Sequence, residues 1–292
     1  MTEGVGGGAN RLGQGMEAMQ GGAAGPGVRS RPNAGRLVWW LVFIVGVTYF
    51  FLPLIGTFAF SLRAQPPLVA YTGILDDAKF FANLTYSFVI GIITIIVSVS
   101  IMVPTAFWVR LRYPRLRPIV EFITLLPFVV PPIVLVFGLI NTYSRPPLPF
   151  THTDLGSSAL LVFGYVILSF PYMYRAVDTG LRSMDIRSLT EASQSLGAGW
   201  ARIIVQVILP NLRVALLSGA FLTLAIVVGE FTMATFLARP VFSVYLRDVG
   251  EVKPYQQAAV ALISFGLTWI AMGLISILGR GSRSRVPVVG AR

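Results

Sequence analysis

The chain has 292 residues, of which 55% are hydrophobic and only 12% charged, with a formal net charge of +11 and a mean hydropathy of +0.74. Soluble domains carry about 25% charged residues, so this composition excludes an ordinary globular domain and indicates an all-α integral membrane protein. With no cysteine there is no disulfide, thiolate metal site or cysteine nucleophile, and the single His152 cannot form a histidine cluster.

Residues 1–36 are glycine-rich, show no apolar period and read as a disordered tail. No small-residue cleavage site follows the first apolar run, which argues against a signal peptide. That run, residues 37–62, exceeds the roughly 20 residues needed to cross a hydrocarbon core and carries a proline, Pro53, expected to kink it. A connection with Pro66, Pro67, Asp76 and Asp77 leads to the second span, residues 84–109, which ends in a basic loop holding Arg110, Arg112, Arg115 and Arg117. The third span, residues 122–143, is interrupted by Pro127 and by Pro131 and Pro132. The backbone groups these prolines free must be satisfied by neighbouring protein, which predicts a packed bundle. Pro131 and Pro132 admit two roles, part of a gate or a kink used for packing. His152 falls in a polar loop as a solvated residue, and the fourth span covers residues 158–177.

Residues 178–213 form a long connection with the only extended amphipathic stretch in the chain. Ser188 and Glu191 have the spacing of a capping box, so a short helix is expected to start there. Leu189, Ala192, Ser193 and Leu196 would share one narrow face, and Gly197 and Gly199 would stop the helix. Trp200, Ile203, Ile204 and Val207 repeat the helical spacing in a second helix, which Pro210 is expected to end.

The fifth span covers residues 214–237 and contains Glu230. An ionisable group inside a bilayer is costly and usually faces a cavity or a partner, so Glu230 is a candidate lining residue of a transport path, with a hydrogen-bonded packing role as the alternative. Residues 238–254 connect to the sixth span, residues 255–278, and residues 280–292 form a basic tail. Trp39, Trp40, Tyr49, Tyr143, Tyr165, Tyr172, Tyr174 and Trp269 lie toward span ends, as interfacial anchors would. Arginines concentrate in the two tails, in the loop after the second span and around residues 178–213. The opposite side receives only Arg63, Lys79, Arg145, Arg239, Arg247 and Lys253. The arginine-rich side, with both termini, is therefore assigned to the cytoplasm.

Residues 191–210 resemble the coupling loop of the membrane-spanning subunits of ABC importers, whose pattern is Glu-Ala-Ala, three residues, Gly, nine residues, Ile-x-Leu-Pro. Glu191, Ala192, Gly197, Leu209 and Pro210 match, while Ser193 replaces the second alanine and Val207 the isoleucine. The resemblance implies a permease with six transmembrane helices in residues 37–279, a cytoplasmic coupling helix pair, and a prokaryotic inner-membrane location. It also implies a dimer of ATPase subunits that binds ATP and magnesium, a second permease subunit (the same or different), and an extracytoplasmic solute-binding protein. The chain has no Gly-x-x-x-x-Gly-Lys-Ser/Thr sequence of its own, so ATP hydrolysis is assigned to the partner, with no cofactor and no nucleic acid assigned to this chain. Glu191 would pair with a basic group of the ATPase or serve only its own helix. The run Gly229, Glu230, Phe231, Thr232 and Ala234 resembles span-five segments of permeases for polyamines, ferric iron, phosphonates and oxyanions, with a polyamine as first choice. An intramembrane enzyme lacks the residues it would need. An ion-coupled secondary transporter, the closer alternative, would show repeated halves that the sequence lacks.

Overall fold

The computed structural model describes residues 34–280, all of whose regular elements are helical. The two expected tails lie outside the described residues, except that the first helix already begins at Ala34 and the last runs to Arg280. Helix α1 (Ala34–Ser61) contains Pro53 and begins in the first of two compact units, Met1–Pro53; the second unit, Leu54–Arg292, holds all later elements. A short α2 (Val69–Leu75) precedes α3 (Ala78–Leu111), whose start is capped by Asp77 accepting from the Lys79 N–H. Helices α4 (Arg117–Val129) and α5 (Pro132–Tyr143) make up the expected third span. They meet at 97°, because Pro131 takes an extended conformation (φ −60°, ψ 144°) and Pro132 opens a new helix at its first position. Pro127, expected to interrupt the span, lies inside α4.

Helix α6 (Asp154–Arg182) follows, then α7 (Ile186–Ser195), α8 (Trp200–Asn211), α9 (Arg213–Gly229), α10 (Thr232–Phe236), α11 (Phe242–Val252) and α12 (Pro254–Arg280). Among the described residues three helices, α1, α3 and α6, are long and apolar enough to cross a membrane, and two bent pairs, α4 with α5 and α8 with α9, have the length and composition of a span when taken together. Helix α12 occupies the expected sixth stretch.

Helix α6 is the hub of the second unit. One core lies where its second half meets α3 and α8, around Phe107, Met173, Val177, Leu181, Ile203 and Ile208; a second lies where its first half meets α5, α9 and α10, around Val136, Leu161, Tyr165, Val227 and Met233. The third, around Ile74, Phe80, Phe242, Tyr245 and Val260, joins α2, α3, α11 and α12. Within a bilayer such contacts depend on close packing and interhelical hydrogen bonds rather than on hydrophobicity. Both are present: Ser98 of α3 and Ser169 of α6 share a buried hydrogen bond of 2.7 Å. A side chain at Gly180 of α6 would come within 2.6 Å of Leu212 and 2.7 Å of Ala215, so the glycine sets how closely α6 and α9 approach.

The aromatic residues divide. Trp39, Trp40, Tyr49 and Trp269 are exposed, but Tyr165 and Tyr174 are buried and pack the first two cores, which corrects their assignment as interfacial anchors. His152 is exposed in a single turn of tighter helix at Phe150–His152.

Candidate functional site

The amphipathic connection folds as two short helices joined by a tight turn, but its start differs from the sequence pattern. Asp185, not Ser188, caps α7: its Oδ1 accepts from the Ser188 N–H at 3.1 Å and its Oδ2 from the Ser188 hydroxyl at 2.7 Å. These donors hold the Asp185 carboxyl below the usual carboxylate range. Ser188 thus lies inside the helix, and the capping box with Glu191 does not form. Glu191 instead lies 3.5 Å from Arg187 one turn earlier, in an exposed pair of the kind that contributes little to stability.

The face also turns relative to expectation. Ile186 and Thr190 are buried and Leu189 and Ser193 half-buried, so these four anchor α7, while Ala192 and Leu196 point outward with Glu191. Leu196 is 88% exposed, and Gly197 beyond it takes φ +78°, a left-handed conformation that favours glycine; an added side chain there would meet nothing. An apolar tip is therefore held out from a base fixed by Ile186 on one side and Ile203 on the other.

Helix α8 departs from α-helical spacing because its centre, Ile203–Ile208, is a π-helix. Residues five apart share a face in that geometry, which is why Ile203 and Ile208 are both fully buried and Val205 is exposed. Leu209 is half-buried and Pro210 exposed; contrary to expectation Pro210 does not end the helix, which continues to Asn211 before bending by 80° into α9. The Trp200 ring packs against Trp108 of α3 with centroids 4.7 Å apart, tying the far side of the turn to a long helix.

Three adjoining cavities run along the face formed by α4, α6 and α9. The first, of about 290 Å³, brings together the predicted Pro132 and Glu230 with Phe128 and Tyr172; Pro131 is not among its lining residues. Phe128 and Tyr172, packed edge to face at 5.5 Å, also border the second cavity, of about 740 Å³. That cavity shares Arg175 and Thr179 with a third, of about 330 Å³, lined by Arg117, Glu121, Asp178 and Arg182.

Glu230 is not inside a continuous helix. It follows the end of α9 with an extended backbone (ψ 127°), and both its carboxylate oxygens lie 3.0 Å from the Met233 N–H, which they accept at the start of α10. Its carbonyl accepts from the Ser243 hydroxyl at 2.6 Å and the Tyr165 hydroxyl at 3.4 Å. At 9% exposure the residue satisfies the backbone where the expected fifth span breaks.

Asp178 carries a cluster that the sequence pattern did not single out. Its carboxylate is reached by Arg182 at 2.6 Å, Arg110 at 3.4 Å and Arg117 at 3.5 Å, from α6, α3 and α4, and its side chain is 12% exposed. Arg117 and Glu121 pair at 2.9 Å within α4. The available signal was an acid one turn before Arg182, but Asp178 lies just past the expected end of the fourth span, which α6 overruns. No group of three or more histidine or acidic side chains among the described residues is placed to hold a metal ion.

Known proteins resemble this chain in sequence and in fold. The chain is 29% identical over 216 residues to a probable molybdenum ABC transporter permease of Haloferax volcanii, covering 72% of this chain and 77% of that one. It is 26% identical to the spermidine/putrescine permease PotB of Haemophilus influenzae, covering 68% and 74%, and 27% identical to the molybdenum permease ModB of Escherichia coli K12, covering 61% and 83%. Among solved structures, a chain of a bacterial alginate ABC transporter bound to its periplasmic protein superposes with a TM-score of 0.61 at 14% identity, over 88% of this chain and 98% of that one. The methionine transporter MetNI in an inward-facing form gives 0.52 at 20% identity, over 69% and 93%; at these identities the likeness concerns fold alone. Residues 102–283, more than half the chain, match the family described as the inner membrane component of binding-protein-dependent transport systems, and the chain therefore belongs to that family of ABC importer permeases.

Proposed function

We propose that the chain is a six-span permease subunit of an ATP-driven importer that accepts force through the α7–α8 tip and conducts a small oxyanion along the α4, α6 and α9 face. The observation that carries this is the tip itself. Leu196 and Gly197 project between two buried anchors, Ile186 and Ile203, and the second anchor continues through a short helix into α9, which borders the cavities. A leucine held almost fully exposed on a base fixed at both ends has the form of a docking element. In this reading the tip and both termini are cytoplasmic, a dimer of ATPase subunits binding ATP and magnesium docks on α7, and Glu191 is available to it. A second permease subunit, in a heterodimer, completes the path, and an extracytoplasmic protein delivers the solute. The chain itself is a non-catalytic transport component.

The charges along the face support an oxyanion as the proposed solute, in place of the polyamine expected first from the sequence. The Glu230 carboxylate is committed to the Met233 N–H, whereas Arg175 borders two of the three cavities. The resemblance to the molybdenum permeases supports the same choice. The test is uptake by the complete importer, with its ATPase and binding protein, in sealed vesicles: ATP-dependent accumulation of molybdate and none of putrescine is expected. Accumulation of putrescine alone would overturn the solute, and uptake independent of ATP would overturn the importer.

A further inference from the structure

The arginine-lined cavity holds more positive charge than its scaffold uses. Arg110, Arg117 and Arg182 share two carboxylates, Asp178 and Glu121. Arg175, from the same stretch of α6, lines the cavity with no ion pair or hydrogen bond to any described residue. Three guanidinium groups and two carboxylates therefore line the cavity, and Arg110 reaches Asp178 from outside it.

The donor inventory points the same way. A guanidinium offers five N–H donors and accepts none. Arg117 uses Nε and Nη2, and Arg182 uses Nε and Nη2, which leaves Nη1 of each unengaged by any described residue, together with the whole fork of Arg175. Tyr174 is largely buried and lines the same cavity, and neither its hydroxyl nor that of the exposed Thr179, one turn after the exposed Arg175, makes a hydrogen bond to a described residue. At about 330 Å³ the space accommodates a tetrahedral oxyanion with water, or a compact phosphate headgroup.

We infer that this cavity is an anion site for a phosphate-type group, with Arg175 as its principal ligand and Arg117, Arg182, Tyr174 and Thr179 around it. Asp178 and Glu121 do not defeat the site, because each is already neutralised within hydrogen-bond distance, by Arg182 at 2.6 Å and Arg117 at 2.9 Å. Their role is to hold the arginines of α4 and α6 at fixed positions, and Arg175 is the charge left for a ligand. The group could arrive on a free oxyanion or on an anionic lipid, which present the same chemistry. The inference stands on charge and geometry and does not require the proposed solute: phosphate binding retained without molybdate uptake would remove the solute and leave the site.

The experiment exploits the isolation of Arg175. Arg175→Gln removes a ligand without breaking an ion pair, so folding is preserved, and Arg202→Gln removes an exposed arginine outside the cavity as a control. The purified complete importer is titrated with inorganic phosphate and with molybdate in detergent. In a second arm it is placed in nanodiscs of phosphatidylcholine with and without phosphatidylglycerol, and retention of the anionic lipid is measured by native mass spectrometry. Binding by the wild type in either arm, weakened about tenfold or more by Arg175→Gln and unchanged by Arg202→Gln, is expected from the loss of charged hydrogen bonds. Binding in the first arm alone assigns the site to a free oxyanion, and in the second alone to a lipid headgroup. No binding in either arm, or equal binding by wild type and Arg175→Gln, would overturn the inference.

Discussion

Replacing Gly197 by alanine isolates the geometry of the coupling turn from its contacts. An added Cβ at this position meets no atom within 4 Å, so the variant suffers no clash, and its penalty is confined to the backbone at φ +78°. A left-handed conformation costs an L-residue about 1–2 kcal/mol relative to glycine, a factor of about 5–30 in the population of the native turn. Gly199, two residues on, is the matched control: its φ of −75° and ψ of 163° are open to any residue, it too has an empty surround, and as the residue before α8 it tolerates serine as a cap. The assay is ATP hydrolysis by the reconstituted importer, with and without solute-loaded binding protein, alongside co-purification of the ATPase. Gly197→Ala is expected to lower stimulated hydrolysis severalfold while leaving the melting temperature of the transmembrane region unchanged, and Gly199→Ser to behave as wild type. Equal coupling in all three proteins would refute the claim that the left-handed turn presents the docking tip.

Asp178→Ala leaves three guanidinium groups around a lost carboxylate and is expected to destabilise the protein by about 2 kcal/mol, below the range for fully buried pairs because the arginines are partly exposed; the apparent melting temperature in detergent reports it. Glu230→Gln keeps an oxygen for the Met233 N–H and should retain uptake at all pH values, whereas Glu230→Ala should cost about 1 kcal/mol and lower the yield of folded protein. Reduced uptake by a well-folded Glu230→Gln protein would instead establish a charged role. For Asp185 the folded pKa lies below the unfolded one, so its stabilisation of α7 is fully present above the usual carboxylate range and is lost as pH falls through the depressed folded value. The difference in melting temperature between wild type and Asp185→Asn should accordingly shrink between pH 6 and pH 3.

The helical membrane class, the approximate places of the apolar stretches and the coupling motif were legible because they depend on local composition and spacing. What escaped were features fixed by contacts between distant segments. Ser188 and Asp185 are both competent caps, and the burial of Ile186 and Thr190 decides between them by starting the helix one turn earlier. The π-helix at Ile203–Ile208 has an ordinary apolar sequence; its wider register appears only because both end residues are drawn into the core with Phe107 and Leu181. Proline marked the interruption at Pro131 and Pro132, but not its 97° angle, and Pro127 shows that proline alone does not break a helix. Glu230 stood out as an intramembrane acid, yet its bond to the Met233 N–H follows from a break between α9 and α10 that has no proline to announce it. Asp178 needed partners from three helices before its place was evident.

The absence of cysteine from the sequence permits a direct test of docking between the α7–α8 tip and the ATPase. A single cysteine introduced as Leu196→Cys, at the exposed tip, is compared with one introduced as Val252→Cys, also well exposed, at the end of α11 on the side assigned to the exterior. Each is tested for crosslinking to the ATPase subunit in the complete importer with a short thiol-to-amine reagent. A permease–ATPase crosslink is expected from position 196 and none from position 252. A crosslink absent at 196, or formed equally from both positions, would contradict that docking.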